Sequence, residues 1–150
     1  MLNLPQFDLK TRIAGNGKNE VFDPIRRKYV VLTPEENVRQ HFLMMLTKNK
    51  SYPASLIAVE KSLVVNNMQK RFDAVAFDSQ GKPLVLMEFK SPKVKLSQAV
   101  FEQISVYNIK LRVNYLIVSN GISHYCCRAD FVKGEIEFMK DIPDFGEINQ

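Results

Sequence analysis

Cysteine is almost absent from this chain of 150 residues, and the two that occur, Cys126 and Cys127, are adjacent. On a strand they would point to opposite faces, which suits reduced, small core or surface residues; no zinc-ligand spacing exists. Histidine is equally scarce. His41 and His124 have no carboxylate or second histidine at ligand spacing, so both read as structural or surface residues. Long apolar runs are missing as well: nothing approaches the roughly 20 residues of a membrane span. The start, Met1-Leu2-Asn3-Leu4-Pro5-Gln6, lacks the basic stretch and apolar segment of a secretory signal. No membrane partner and a cytoplasmic location are expected. A phosphate-binding loop is also lacking, because Ala14-Gly15-Asn16-Gly17-Lys18 has neither the first glycine nor a Ser/Thr after the lysine.

What remains is an ordinary soluble composition, 45% apolar and 25% charged, with a net charge of +5. The length suits one domain with a real core. Residues 1–24 show little periodicity and read as an irregular arm, leaving 25–150 as a single domain. Lys61, Lys70, Arg71, Lys82, Lys90, Lys93 and Lys95 concentrate positive charge in the middle of the chain, whereas the stretch from Asp130 to Glu147 is acidic. A basic centre suits a polyanion such as nucleic acid, or simply a solvated surface.

Helix and strand signals alternate. Thr33-Pro34-Glu35-Glu36 is a helix start, with Thr33 as N-cap, Pro34 in the first turn and Glu36 completing a capping box. Val38, Phe42, Met45 and Leu46 form its apolar stripe. Glu35 lies nearer that stripe on a helical wheel than Glu36, and which of the two turns inward stays open. A strand from Leu56 to Val65 follows, then two strands joined by the turn Asp78-Ser79-Gln80-Gly81-Lys82-Pro83. A second helix is expected from Ser97 to about Arg112, with Leu96, Val100, Gln103, Tyr107 and Leu111 inward. Tyr115 to Val118 reads as a buried strand, and Ile122–Arg128 with Glu135–Met139 as a closing antiparallel pair.

The chemistry centres on Asp73 and the triplet Glu88-Phe89-Lys90. A turn centred on Gln80-Gly81 places Asp73 directly opposite Glu88, with Cβ atoms roughly 5 Å apart. Lys90, two along from Glu88, shares their face, and Arg71 would oppose it. The carboxylate side also carries Val75, Phe77, Leu84 and Leu86; the other side carries Phe72, Ala74, Ala76, Val85, Met87 and Phe89. Strands apolar on both faces are covered on both faces. Two carboxylates facing each other there repel unless something positive lies between them, and a divalent cation is the natural candidate. Their hard oxygens suit Mg²⁺ or Mn²⁺. The alternative is a buried ion-pair network with Lys90.

The order helix, three strands, helix, strand, with Asp on the second strand and Glu-x-Lys on the third, resembles the PD-(D/E)xK nuclease superfamily. Thr33-Pro34-Glu35-Glu36-Asn37-Val38-Arg39-Gln40, Glu60, Arg71-Phe72-Asp73, Glu88-Phe89-Lys90-Ser91-Pro92, Gln103-Ile104-Ser105-Val106-Tyr107 and Ser119-Asn120-Gly121 together resemble the N-terminal nuclease domain of type I restriction enzyme R subunits. The likeness spans roughly residues 25 to 145. It implies an α/β, restriction-endonuclease-like core, a mixed central sheet flanked by helices in the order α-β-β-β-α-β with further C-terminal strands. It also implies a metal-dependent DNA endonuclease in which Asp73 and Glu88 bind Mg²⁺ (or Mn²⁺) and Lys90 assists catalysis. Gln103 would support the site and Glu36 or Glu35 would complete it, with Arg71, Lys93 and Tyr107 contacting DNA. The implied partners are DNA and the motor, specificity and methylation subunits of a restriction system. R subunits carry a helicase-type motor after the nuclease; these residues contain none, so translocation is not assigned. A DNA-binding module that cuts only with partner subunits is the rival reading.

Overall fold

The computed structural model describes residues 1–65, 67–109 and 111–149, with the backbone alone at 65, 68 and 106–109. Part of the expected irregular arm is folded. Strands β1 (Thr11–Ile13), β2 (Asn19–Asp23) and β3 (Lys28–Val31) form an antiparallel sheet of their own. Such short strands carry too little alternation to register in the sequence, and within them only Val21 and Asp23 are buried. The β2–β3 turn is built by Asp23, whose Oδ1 accepts the backbone N–H groups of Ile25 and Arg26.

Helix α1 (Pro34–Asn49) starts as expected, with Thr33 Oγ1 accepting the Glu36 N–H at 3.0 Å. The reciprocal half of the box is not made: the Thr33 N–H goes to the Val31 carbonyl, and the Glu36 carboxylate is engaged elsewhere. Val38, Phe42, Met45 and Leu46 are all buried.

The main sheet has β4 (Ile57–Val65), β5 (Met68–Phe77), β6 (Pro83–Phe89), β7 (Tyr115–Ser119), β8 (His124–Asp130) and β9 (Glu135–Met139), side by side in that order. Only the β6–β7 pair is parallel. Parallel neighbours need a crossover, and α2 (Gln98–Ile109) supplies it. A short helix, α3 (Phe145–Ile148), closes the α1 side, where the Tyr52 hydroxyl donates to the Pro143 carbonyl. Among the described residues, no helix is long and apolar enough to cross a membrane.

The sheet is covered on both faces. One core cluster gathers Val38, Phe42, Leu46, Val85 and Met87 under α1; the other gathers Val75, Leu86, Phe101, Leu116 and Val118 under α2. Cys126 and Cys127 divide between the two clusters, and burial pushes both thiols well up, to about 12 and about 11.

Two expectations about facing are corrected. Phe72 does not share a face with Ala74 and Ala76, because it packs with Val75 and Leu86 in the α2 cluster. On β4, Ile57 and Val59 likewise border one cluster while Leu63 belongs to the other. Both strands change face at Glu60 and Asp73, the one pair missing from an otherwise continuous register, and Glu60 there has a left-handed φ of 55°. The second correction concerns α2. Among its described side chains Phe101 and Ser105 are buried, whereas Val100 is 41% exposed and Gln103 is also exposed. Phe101 sets that phase by packing on Tyr125 and Phe138, ring centroids 5.4 and 5.5 Å away.

Candidate active site

Asp73 and Glu88 lie at the edge of the paired region of β5 and β6. The ladder runs Ala76↔Val85, Val75↔Leu86, Ala74↔Met87 and ends one step short of Asp73 and Glu88. The one irregularity, between Ala76 and Phe77, lies toward the turn and spares this register. Asp78 ties the turn, accepting the N–H groups of Gln80 and Lys82, while Gly81 takes a φ of 82° that a side chain would resist.

Asp73 Oδ2 accepts the backbone N–H of Phe89 at 2.6 Å, which locks its carboxylate onto β6 beside Glu88. Glu88 lies close enough to Asp73 to feel its charge. Burial, reinforced by the Asp73 charge, pushes Glu88 up to about 7, although Lys70 and Lys90 pull the other way. Lys70 Nζ stands 3.8 Å from Glu88 Oε1 and 5.0 Å from the centre of the Phe72 ring. Among the described residues no arginine pairs with either carboxylate, so the repulsion is only partly relieved.

This donor set fits a hard divalent cation. Mg²⁺ dehydrates reluctantly and is commonly held by one or two carboxylates while keeping several waters. No group of three or more His, Cys, Asp or Glu residues arranged to hold a metal occurs among the described residues. Two neighbouring carboxylates nevertheless match that sparse mode of binding.

The raised Glu88 value has a consequence for stability. Neutral Glu88 supports the fold fully below the ordinary value of 4.5, and that support is lost as pH rises through about 7. At pH 8 without metal, Glu88→Gln should therefore be more stable than wild type by on the order of 2–3 kcal/mol. At pH 4 the advantage should be gone. Thermal melts in chelator at the two pH values check this; equal melting at pH 8 would show that the charged pair carries no strain.

The first-helix question is settled by burial. Glu36 is 5% exposed and Glu35 lies in solvent, contrary to the helical wheel. Glu36 receives Arg26 Nη2 at 2.6 Å, Arg39 Nη2 at 2.5 Å and Nε at 2.9 Å, and Gln40 Nε2 at 3.1 Å. Burial alone would raise its carboxyl, but Arg39, Arg26 and Gln40 hold it below the ordinary range. Glu60 is bound by Arg71 at 2.8 Å and approached by Arg26 and Arg39 at 3.6 and 3.7 Å. Arg26, Arg39 and the buried Asp23 were not singled out as site residues from the sequence. The signal was Glu36, Arg39 and Gln40 at i, i+3 and i+4, a polar stripe beside the apolar one.

The other candidates are dispersed. Arg71 is paired with Glu60 and its strand register is with Ser62, while the β5–β6 ladder stops short of it and Lys90. Lys90 stays close enough to Glu88 to stabilise its charge, and its N–H donates to the Ser119 carbonyl. Lys93 is exposed. The Tyr107 side chain lies outside the described residues. Both histidines are structural: His41 Nδ1 meets the Asn37 carbonyl, and His124 bridges Ser119 Oγ and the Asn3 carbonyl.

Comparison with known proteins bears on the fold and the family. Comparison with curated proteins gives no match. Among solved structures, a fragment assigned as an HsdR subunit of a type I restriction enzyme from Vibrio vulnificus YJ016 superposes with a TM-score of 0.54 at 19% identity. The match covers 78% of this chain but only 24% of that one. A DUF820 protein from Anabaena variabilis ATCC 29413, assigned as a nuclease, gives 0.50 at 12% identity over 87% of this chain and 86% of its own. These likenesses carry the fold. The family described as type I restriction enzyme R protein N terminus matches residues 34–143, nearly three quarters of the sequence and all of α1 through β9. The chain belongs to that family.

Proposed function

We propose that this chain is a metal-dependent DNA endonuclease domain acting within a type I restriction system. The observation that carries the proposal is Asp73 and Glu88, held side by side where the β5–β6 ladder ends, with Lys70 and Lys90 beside them and, among the described residues, no arginine to neutralise them. Mg²⁺ or Mn²⁺ between the carboxylates would supply a lowered water pKa and positive charge at the phosphate. Asp73, oriented by the Phe89 N–H, and Glu88, brought to its anionic form by the cation, would hold that charge. Lys90, a mobile point charge on the strand of Glu88, would orient the attacking water or offset charge on the phosphate.

The surroundings suit duplex DNA. Beyond Glu60 and Asp73, the β4–β5 hairpin runs on from Lys61 to Phe72 with Lys61, Lys70 and Arg71 and no acidic residue. The segment from Lys90 to Ser97 adds Lys93 and Lys95, again without an acid, and both are exposed. Gln103, exposed on α2, would extend this surface. Motor, specificity and methylation subunits would select where the domain cuts.

Supercoiled plasmid incubated with Mg²⁺ or Mn²⁺ should be nicked or linearised, and chelator should stop it. DNA binding without cleavage under any metal would instead favour a module that cuts only with its partner subunits. Lys93→Ala should weaken duplex binding about equally for all sequences and lower the salt slope by about 1, as expected for one lost phosphate contact. Fluorescence anisotropy across a salt series measures it; an unchanged slope would remove Lys93 from the interface.

A further inference from the structure

Asp73 sits where the β4–β5 pairing fails. Val59↔Ala74 and Lys61↔Phe72 are paired, Glu60 and Asp73 between them are not, and both strands change face there. A catalytic carboxylate at such a break needs its main chain fixed by something other than the ladder. The replacement is a chain of ion pairs that begins in the N-terminal sheet. Asp23, 1% exposed, binds Arg26 Nε at 2.5 Å; Arg26 Nη2 reaches Glu36; Glu36 holds the fork of Arg39; and Arg39 Nη1 reaches the Asp73 carbonyl at 3.5 Å. Arg26 and Arg39 also approach Glu60, the unpaired residue opposite. Asp23, Glu36 and Glu60 balance Arg26, Arg39 and Arg71, so the network is neutral as a whole.

We propose that Arg26 is a positioning residue: acting through Glu36 and Arg39, it fixes the backbone at Asp73 and thereby aims the Asp73 carboxylate at the cation. Asp23 and Arg26 precede residues 34–143, so this brace comes from outside the part of the chain that the family match covers. It makes the β1–β3 sheet part of the active-site architecture rather than an appendage. The inference rests on reading Asp73 and Glu88 as the metal pair. Groups that hold a metal ligand in place ordinarily change metal affinity by about 10–100-fold when removed, and Arg26, acting through Glu36 and Arg39, is expected at the lower end of that range.

The test compares Arg26→Met with Val21→Ala, which loosens the same sheet at a fully buried position that makes none of these ion pairs. Two readouts are taken well below both melting temperatures: Mn²⁺ affinity by calorimetric titration, and hydrogen exchange of the Phe89 amide in the metal-free chain, which reports the bond to Asp73. Arg26→Met should weaken Mn²⁺ binding about tenfold and speed Phe89 exchange, while Val21→Ala leaves both near wild type. Equal effects from the two variants would reduce Arg26 to a stabilising role and overturn the proposal, as would wild-type behaviour of Arg26→Met. Should Arg26→Met not fold, Arg26→Lys, which keeps the charge but loses the fork, is judged by the same criteria. A wild type that binds no Mn²⁺ would sink the nuclease reading, and Phe89 exchange would still decide whether Arg26 positions Asp73.

Discussion

Asp73→Asn should abolish metal-dependent DNA cleavage, by about a thousandfold or more, without unfolding the chain. A divalent ion contributes several kcal/mol of transition-state stabilisation, and about 4 kcal/mol is a thousandfold. Removing one of only two carboxylates should therefore remove most of the activity. The fold should survive because the asparagine oxygen can still accept the Phe89 N–H that now binds Asp73 Oδ2. The repulsion with Glu88 also disappears, so the metal-free variant should melt at or above wild type. Duplex binding, which the proposed function assigns to the surface of Lys61, Lys93 and Lys95, should persist. Lys90→Ala should lower cleavage with a smaller effect on metal affinity. Plasmid cleavage, anisotropy and thermal melts with and without Mg²⁺ separate these effects. Strong destabilisation by Asp73→Asn, together with no metal-induced stabilisation of the wild type, would point to a structural ion-pair role instead.

Glu36 should behave in the opposite way. Its carboxylate joins Arg26 and Arg39, whose side chains are 15% and 11% exposed. Deleting one member of a buried charge set leaves the others uncompensated, typically at a cost of about 3–5 kcal/mol. Glu36→Ala should therefore lower the melting temperature by roughly 10 °C for a domain of this size. Because the folded-state value of Glu36 is lowered, its contribution is present above the ordinary 4.5 and is lost as pH falls through the depressed value. The gap between Glu36→Ala and wild type should accordingly narrow in acid. Glu35→Ala, one residue away but exposed, should change stability by less than about 0.5 kcal/mol. Comparable losses from the two glutamates would contradict the buried network.

The contrast between these residues shows where local information ends. The β5–β6 register up to Ala74↔Met87, which brings Asp73 and Glu88 to neighbouring positions, could be read from the chain because a hairpin register, once a Gly turn is located, is determined over a few residues by steric and hydrogen-bonding rules. The start of α1 was legible for the same reason, since Thr33 and Pro34 act within one turn. The phase of α2 was not, because Val100, Phe101 and Ile104 offer more than one apolar stripe, and only packing of Phe101 on β8 and β9 selects between them. Nor could helical periodicity choose between Glu35 and Glu36. That choice depends on Arg26, delivered by the β2–β3 turn. The sequence by itself determined the fold class and the register of the β5–β6 hairpin from Ala74↔Met87 to Ala76↔Val85. Tertiary structure alone decided which charges are neutralised, because a buried ion is stabilised by partners brought from distant elements, and a register rule carries no information about them.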